Sequence, residues 1–179
     1  ALSEEDNERR VELLFELIAL YQDVERLPME DMVIATYQRI VSIAPTDVRA
    51  LDDLATRYED RQRYVELVDV LARKVEITED PAELLVLFKR IADLYVEHVR
   101  SEADAIGVLE RMLELDPSNM EVIRRLREIY QRRHDSERLY RTYQRELELV
   151  AGGERLDVLV ELANLATDQL FRHDEAAGW

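Results

Sequence analysis

The sequence has no cysteine, and among its 179 residues it has only four glycines, four prolines and one tryptophan. Without cysteine there is no disulfide framework and no thiolate metal site, and the redox compartment stays open. Each of the four prolines falls at or near an expected loop, so the remainder is free to be helical. No apolar stretch approaches the roughly 20 residues needed to cross a bilayer, which argues for a soluble chain without membrane insertion. Positive charge is also scarce. Lys and Arg total 24 against 40 Asp and Glu, for a formal net charge of −16. That balance excludes a broad phosphate-backbone partner, since nucleic-acid modules draw affinity from clustered cations. Lys74 and Lys89 are the two lysines in the chain, an arginine bias consistent with a GC-rich, bacterial coding genome.

Hydrophobic residues make up 47% of the chain and recur with helical spacing, which excludes wholesale disorder. Four tyrosines and an alanine, Tyr21, Tyr58, Tyr95, Tyr130 and Ala166, recur at intervals of 37, 37, 35 and 36 residues. Seven residues before each marker stand Leu14, Leu51, Phe88, Ile123 and Leu159, and four before it Leu17, Leu54, Ile91, Leu126 and Leu162. A fixed period in this range is the sign of a helical-repeat array, in which each unit buries its apolar face on its neighbours. Each unit reads as two antiparallel helices, A and B. In the second unit A is expected over about Asp47 to Tyr58 and B over about Gln62 to Ile77. Asp116-Pro117-Ser118-Asn119 closes the third unit, because proline disfavours helix in the residue before it and the polar residues can cap the next helix. Val150-Ala151-Gly152-Gly153 is expected to be the most flexible joint, with the fifth A helix running from about Leu156 to Phe171.

The stretch Ala105 to Asn119, with Pro117 thirteen residues before Tyr130, resembles the second helix and closing turn of a tetratricopeptide repeat, and Pro45 stands equally far before Tyr58. Leu51, Leu54, Ala55 and Tyr58 fit the first-helix pattern of that family, as do Phe88, Ile91, Ala92 and Tyr95. The resemblance implies an all-α, right-handed superhelix of antiparallel helical hairpins. Residues 1 to 179 would then form one array of about four and a half hairpins, a non-catalytic protein-interaction scaffold. The chain departs from the pattern where the family prefers a small residue: Arg127 and Ile18 in helix A, and Val33, Leu67 and Leu139 in helix B. Packing there is expected to be looser or shifted. The turns around Leu27-Pro28, after Ile77 and after Leu149 are longer than the family spacing.

In such arrays helix A lines the concave groove, so residues two and six before and one after each marker should face it. The row six before reads Phe15, Asp52, Lys89, Arg124 and Val160; the row two before reads Ala19, Thr56, Asp93, Glu128 and Asn164; the row one after reads Gln22, Glu59, Val96, Gln131 and Thr167. Five before stand Glu16, Asp53, Arg90, Arg125 and Glu161. Lys89, Arg90, Arg124 and Arg125 thus form a candidate basic patch for an acidic peptide or a free C-terminus, since guanidinium forks bind carboxylates bidentately. Phe15, Val86, Val96 and Val160 would supply apolar contacts, with Asn164 beside them. The competing reading is of solvated faces with internal pairs, because Arg49 with Asp53, Lys89 with Asp93 and Arg124 with Glu128 all stand four apart.

The carboxylate clamp by which this family grips acidic chaperone tails pairs lysine with asparagine, and here Lys89 is paired with Asp93. His98, His134 and His173 fall in or near A-to-B turns of successive units, about 10 Å apart, too far to share a metal ion. No Gly-rich phosphate loop or nucleophile arrangement occurs, so no cofactor or catalysis is expected. The chain begins at Ala1 and its last helix breaks off within a repeat, so it reads as a piece of a longer protein. Apolar residues on more than one side of that helix leave a second reading: a spacer or self-association segment, dimerising through the C-terminal helix.

Overall fold

In the computed structural model, residues 4–23 and 29–168 are described, and every regular element among them is helical. Two compact units divide at Arg100 and Ser101. The first contains α1 (Glu4–Gln22), α2 (Glu30–Ile43), α3 (Val48–Asp60), α4 (Tyr64–Ile77) and α5 (Pro81–Leu94), which runs on into a π-helical turn, Tyr95–Val99. The second contains α6 (Glu102–Leu115), α7 (Met120–Arg132), α8 (Ser136–Leu149) and α9 (Gly152–Asp168). Within each unit every helix packs on the next in sequence, giving the antiparallel hairpins of a helical-repeat fold. The A helices are α1, α3, α5, α7 and α9, and the B helices α2, α4, α6 and α8.

The caps follow from local chemistry. The Asp47 side chain accepts from the Ala50 amide, Asp80 from Ala82, and Asn119 from Val122, satisfying donors left open at helix starts. Pro81 takes the first position of α5, where an amide hydrogen is not needed. Of the apolar frame read from the sequence, Leu51, Leu54, Phe88, Ile91, Ile123, Leu126 and Leu162 are each at most 5% exposed and form the core, while Leu14 and Leu17 of α1 and Leu159 of α9 are half-buried. Val33, Leu67 and Leu139, although larger than the pattern prefers, are buried too. The turn around Leu27-Pro28 and His173 lie outside the described residues.

The A-to-B turns after α3 and α7 share one device. In α3 the Tyr58 carbonyl accepts from the Arg63 amide at 2.8 Å and Glu59 from Gln62 at 2.9 Å, with Gln62 at φ 56°. In α7 the Tyr130 carbonyl accepts from Asp135 at 3.0 Å and Gln131 from His134 at 3.2 Å, with His134 at φ 54°. This is the paired-bond helix ending that usually takes glycine at its left-handed position. His134 thus serves the backbone, in a conformation that histidine tolerates better than most residues. In α5 the Tyr95 carbonyl also accepts from the amide five residues on, but that amide is Arg100 itself, the left-handed residue at φ 59°. Between marker and left-handed position the third repeat therefore holds one more residue than the second and fourth, and the π turn absorbs it. In that turn His98 stacks on Tyr64 of α4, ring centroids 3.8 Å apart and planes 14° from parallel.

The helix boundary at the fifth repeat differs from expectation. Val150 is buried and its amide bonds to the Glu146 carbonyl, and α9 already begins at Gly152, whose φ of 62° turns the chain. The glycine pair is therefore the first turn of a helix rather than a loose joint, because one left-handed residue suffices to redirect the backbone.

Two phenols link neighbouring helices. Tyr37 donates to Asp53 at 2.8 Å and Tyr130 to Glu110 at 2.9 Å. Burial first, then these carboxylates, push both phenols up to about 12 from the usual 10, and burial moves Tyr143 in the same direction. The folded chain thus keeps protons that the unfolded chain releases near pH 10. Their contribution to stability is present below pH 10 and is lost as pH rises through 12. Phenolate absorbance is expected to show a late phase near 12 that is largely removed in Y37F/Y130F; a wild-type titration completed around the ordinary value would contradict it.

Candidate functional site

The sequence-derived groove residues fall on the A helices of both units. In the first, Phe15 on α1 is half-buried, its ring edge-on to Tyr37 at 6.1 Å and its face under the Arg49 guanidinium at 4.5 Å. Val86 on α5 is 69% exposed, Lys89 is exposed, and Arg90 is half-buried and bonded to Glu59 of α3 at 2.6 Å. Val96 is half-buried in the π turn. Val86, Lys89 and Arg90 stand at spacing that puts them on one side of α5.

In the second unit, Arg124 of α7 is bonded to Glu154 of α9 and lies 3.7 Å from Glu146 of α8, while Arg125 is half-buried on the same helix. Val160 and Asn164 are exposed on α9, one turn apart. Two cavities adjoin there. One, of about 290 Å³, is lined by Gln131, His134, Leu139, Tyr143, Glu161, Asn164 and Leu165. The other, of about 130 Å³, is lined by Arg124, Arg127, Tyr143, Glu146, Glu154, Asp157, Val158 and Glu161. They share Tyr143 and Glu161, so the two lie side by side along the channel-like groove between α7 and α9, above α8. The groove rows contribute Arg124, Gln131, Glu161 and Asn164 to its walls.

Beneath this channel lies a pair that the periodic reading missed. Glu146 is 1% exposed, and Arg127 Nη1 donates to both of its carboxylate oxygens, at 2.9 and 2.8 Å. Arg127, sitting where the repeat pattern prefers a small residue, is thus the counterion of a buried acid. The signal available in the sequence was positional. Gln38 and Glu110 stand twenty residues before Tyr58 and Tyr130 and bond to their hydroxyls, at 2.7 and 2.9 Å. Glu146 stands twenty before Ala166, which has no hydroxyl to offer.

Neither a protein-family model nor a curated protein matches the chain. Among solved structures it is similar to MamA. One crystal structure of MamA matches at 17% identity over 83% of each chain, and another at 17% over 91% of this chain and 87% of that one, both with a TM-score of 0.45. MamA 41-end from Desulfovibrio magneticus RS-1 matches at 14% identity over 99% of this chain and 92% of that one, again with a TM-score of 0.45. These likenesses concern fold alone.

Several arginines pair between helices, beside local pairs such as Arg63 with Glu66 and Arg138 with Asp135. Arg49 pairs with Asp47, and Asp53 is taken by Tyr37. Arg57 bonds to Glu30, Arg61 to Asp31, Arg90 to Glu59, Arg124 to Glu154 and Arg132 to Glu102, all between helices. Among the described residues no cluster of three or more His, Asp or Glu side chains is arranged to hold a metal ion, and no helix is long and apolar enough to cross a membrane.

Proposed function

We propose that this chain is a non-catalytic protein-interaction scaffold whose A-helix faces receive a peptide segment from a partner. The observation that carries this reading is the channel between α7 and α9. It is walled by Arg124, Gln131, Glu161 and Asn164 and adjoins α9, which carries exposed Val160, so it offers hydrogen-bonding groups, charge and an apolar contact along one line. Arg124 can exchange the exposed Glu154 for a ligand carboxylate at little cost, since surface pairs contribute about 0 to 1 kcal/mol. Arg125 adds positive charge on the same helix, and Lys89, Arg90 and Val86 offer similar chemistry on the first unit. The expected ligand is an acidic segment or a free C-terminal carboxylate.

Titration of a labelled acidic peptide with a free C-terminus tests this. R124A/R125A is expected to weaken binding by about tenfold and to flatten its salt dependence. Asn164→Ala and Val160→Ser should each weaken it without changing the salt slope. Unchanged affinity in folded R124A/R125A would sink the proposal.

A further inference from the structure

A second cleft opens on the other side of α7, between the B helices α6 and α8. It holds about 660 Å³ and is lined by Glu110, Leu113, Glu114 and Pro117 from α6 and its closing turn, Leu126 and Tyr130 from α7, and Arg138, Arg141, Thr142 and Arg145 from α8. Its floor is settled: Leu113, Leu126 and Tyr130 are buried, the Tyr130 hydroxyl is held by Glu110, and the Thr142 hydroxyl donates to the Arg138 carbonyl. The walls are not. All three cations of α8 stand on one stripe, three and four residues apart, in a chain of net charge −16. Arg138 lies over the Tyr130 ring and 3.7 Å from Asp135. Arg141 is exposed and Arg145 half-buried, and neither makes an ion pair among the described residues. Glu114 on the facing wall is exposed and makes none either. Walls of opposite sign thus line one cleft, with no ion pair between Glu114 and Arg141 or Arg145.

The span from Arg138 to Arg145 is seven residues, about 10 Å along a helix axis. A helix laid in the cleft meets that stripe if it carries carboxylates at the same three-and-four spacing. The acidic wall asks for a basic side chain on its other flank. Short acidic probes that lack that cation are repelled by Glu110 and Glu114, and long polyanions by the net charge of the chain. We infer that the α6–α8 cleft is a docking site for a charge-striped partner helix, with glutamates or aspartates toward Arg138, Arg141 and Arg145 and a lysine or arginine toward Glu114. The site is independent of the α7–α9 channel.

The probe is an alanine-based helical peptide with glutamates three and four residues apart on one flank and lysines on the other, labelled for anisotropy. Wild-type chain is expected to bind it, and R141E/R145E to lose at least about tenfold while keeping its helical circular dichroism. Glu114→Lys should lose affinity for this peptide and gain it for one whose lysines are replaced by alanine. R124A/R125A should bind it as wild type does, so this test and that of the α7–α9 channel can fail separately. Equal binding of a peptide of the same composition in scrambled order, or wild-type affinity in R141E/R145E, overturns the inference. So does tighter binding of a short single-stranded oligonucleotide, which would make the stripe a phosphate site. Self-association of the chain that R141E/R145E abolishes would also overturn it, by making the occupant a second copy.

Discussion

Replacing Arg127 with methionine is expected to destabilise the α7–α8 hairpin by about 3 kcal/mol, and to do so more than replacing its partner Glu146. The asymmetry comes from burial. The Glu146 side chain is 1% exposed, and once both Arg127 hydrogen bonds are gone its nearest cation is Arg124 Nε at 3.7 Å. A carboxylate in that position loses its hydration and its charge partner together. Arg127 is 28% exposed, so in E146L the guanidinium can turn toward water and the cost is smaller. The double variant R127M/E146L should recover most of the loss, because apolar side chains of similar size can replace a buried pair with little net change. Amide exchange across α7 and α8 in the four proteins gives the comparison. If R127M is no less stable than E146L, the pair is not acting as a buried ion pair.

Leu71→Ala is expected to cost about 2 to 5 kcal/mol. Leu71 is fully buried in α4, so truncation removes apolar burial and leaves a void among side chains fixed by two flanking helices, α3 and α5. In a repeat fold each helix rests on its sequence neighbours, so the loss should concentrate in amide protection of α3, α4 and α5. Val65→Ala in the first turn of the same helix is the control: Val65 is 59% exposed, and its loss should stay within about 0.5 kcal/mol. Equal effects of the two substitutions would mean that α4 is not packed as described.

The hairpins were legible because their determinants are local and periodic. The stripe around each marker fixes which side of helix A is buried, and Asp47, Asp80 and Asn119 declare where helices start. The pairs of Arg49 and Arg124 were not legible from spacing four apart. Arginine is long enough to reach the adjacent helix, and the pairs of Arg61, Arg90, Arg124 and Arg132 bridge 30 or 31 residues instead. The α9 start was obscured by the glycine pair, which reads as loose from composition but enters the helix through one left-handed residue. The α7–α9 channel was half legible: rows two and six before the marker and one after it name Asn164, Arg124 and Gln131, yet nothing in those rows points to Tyr143 on its floor. The α6–α8 cleft gave no signal, since a stripe of arginines on a B helix has no marker to stand beside.

The wide turn at Tyr95–Val99 bears on how such a chain can change length. In α3 and α7 the left-handed residue comes four positions after the tyrosine, and in α5 five, yet the tyrosine carbonyl holds the amide five residues on in all three. A single inserted residue has thus been stored as a bulge at the end of one helix, and the following B helix still starts two residues after the left-handed one, at Tyr64, Glu102 and Ser136 alike. The corner can thus take up one residue without moving the start of the B helix relative to its left-handed residue, so the turn absorbs the difference and the helix that follows does not.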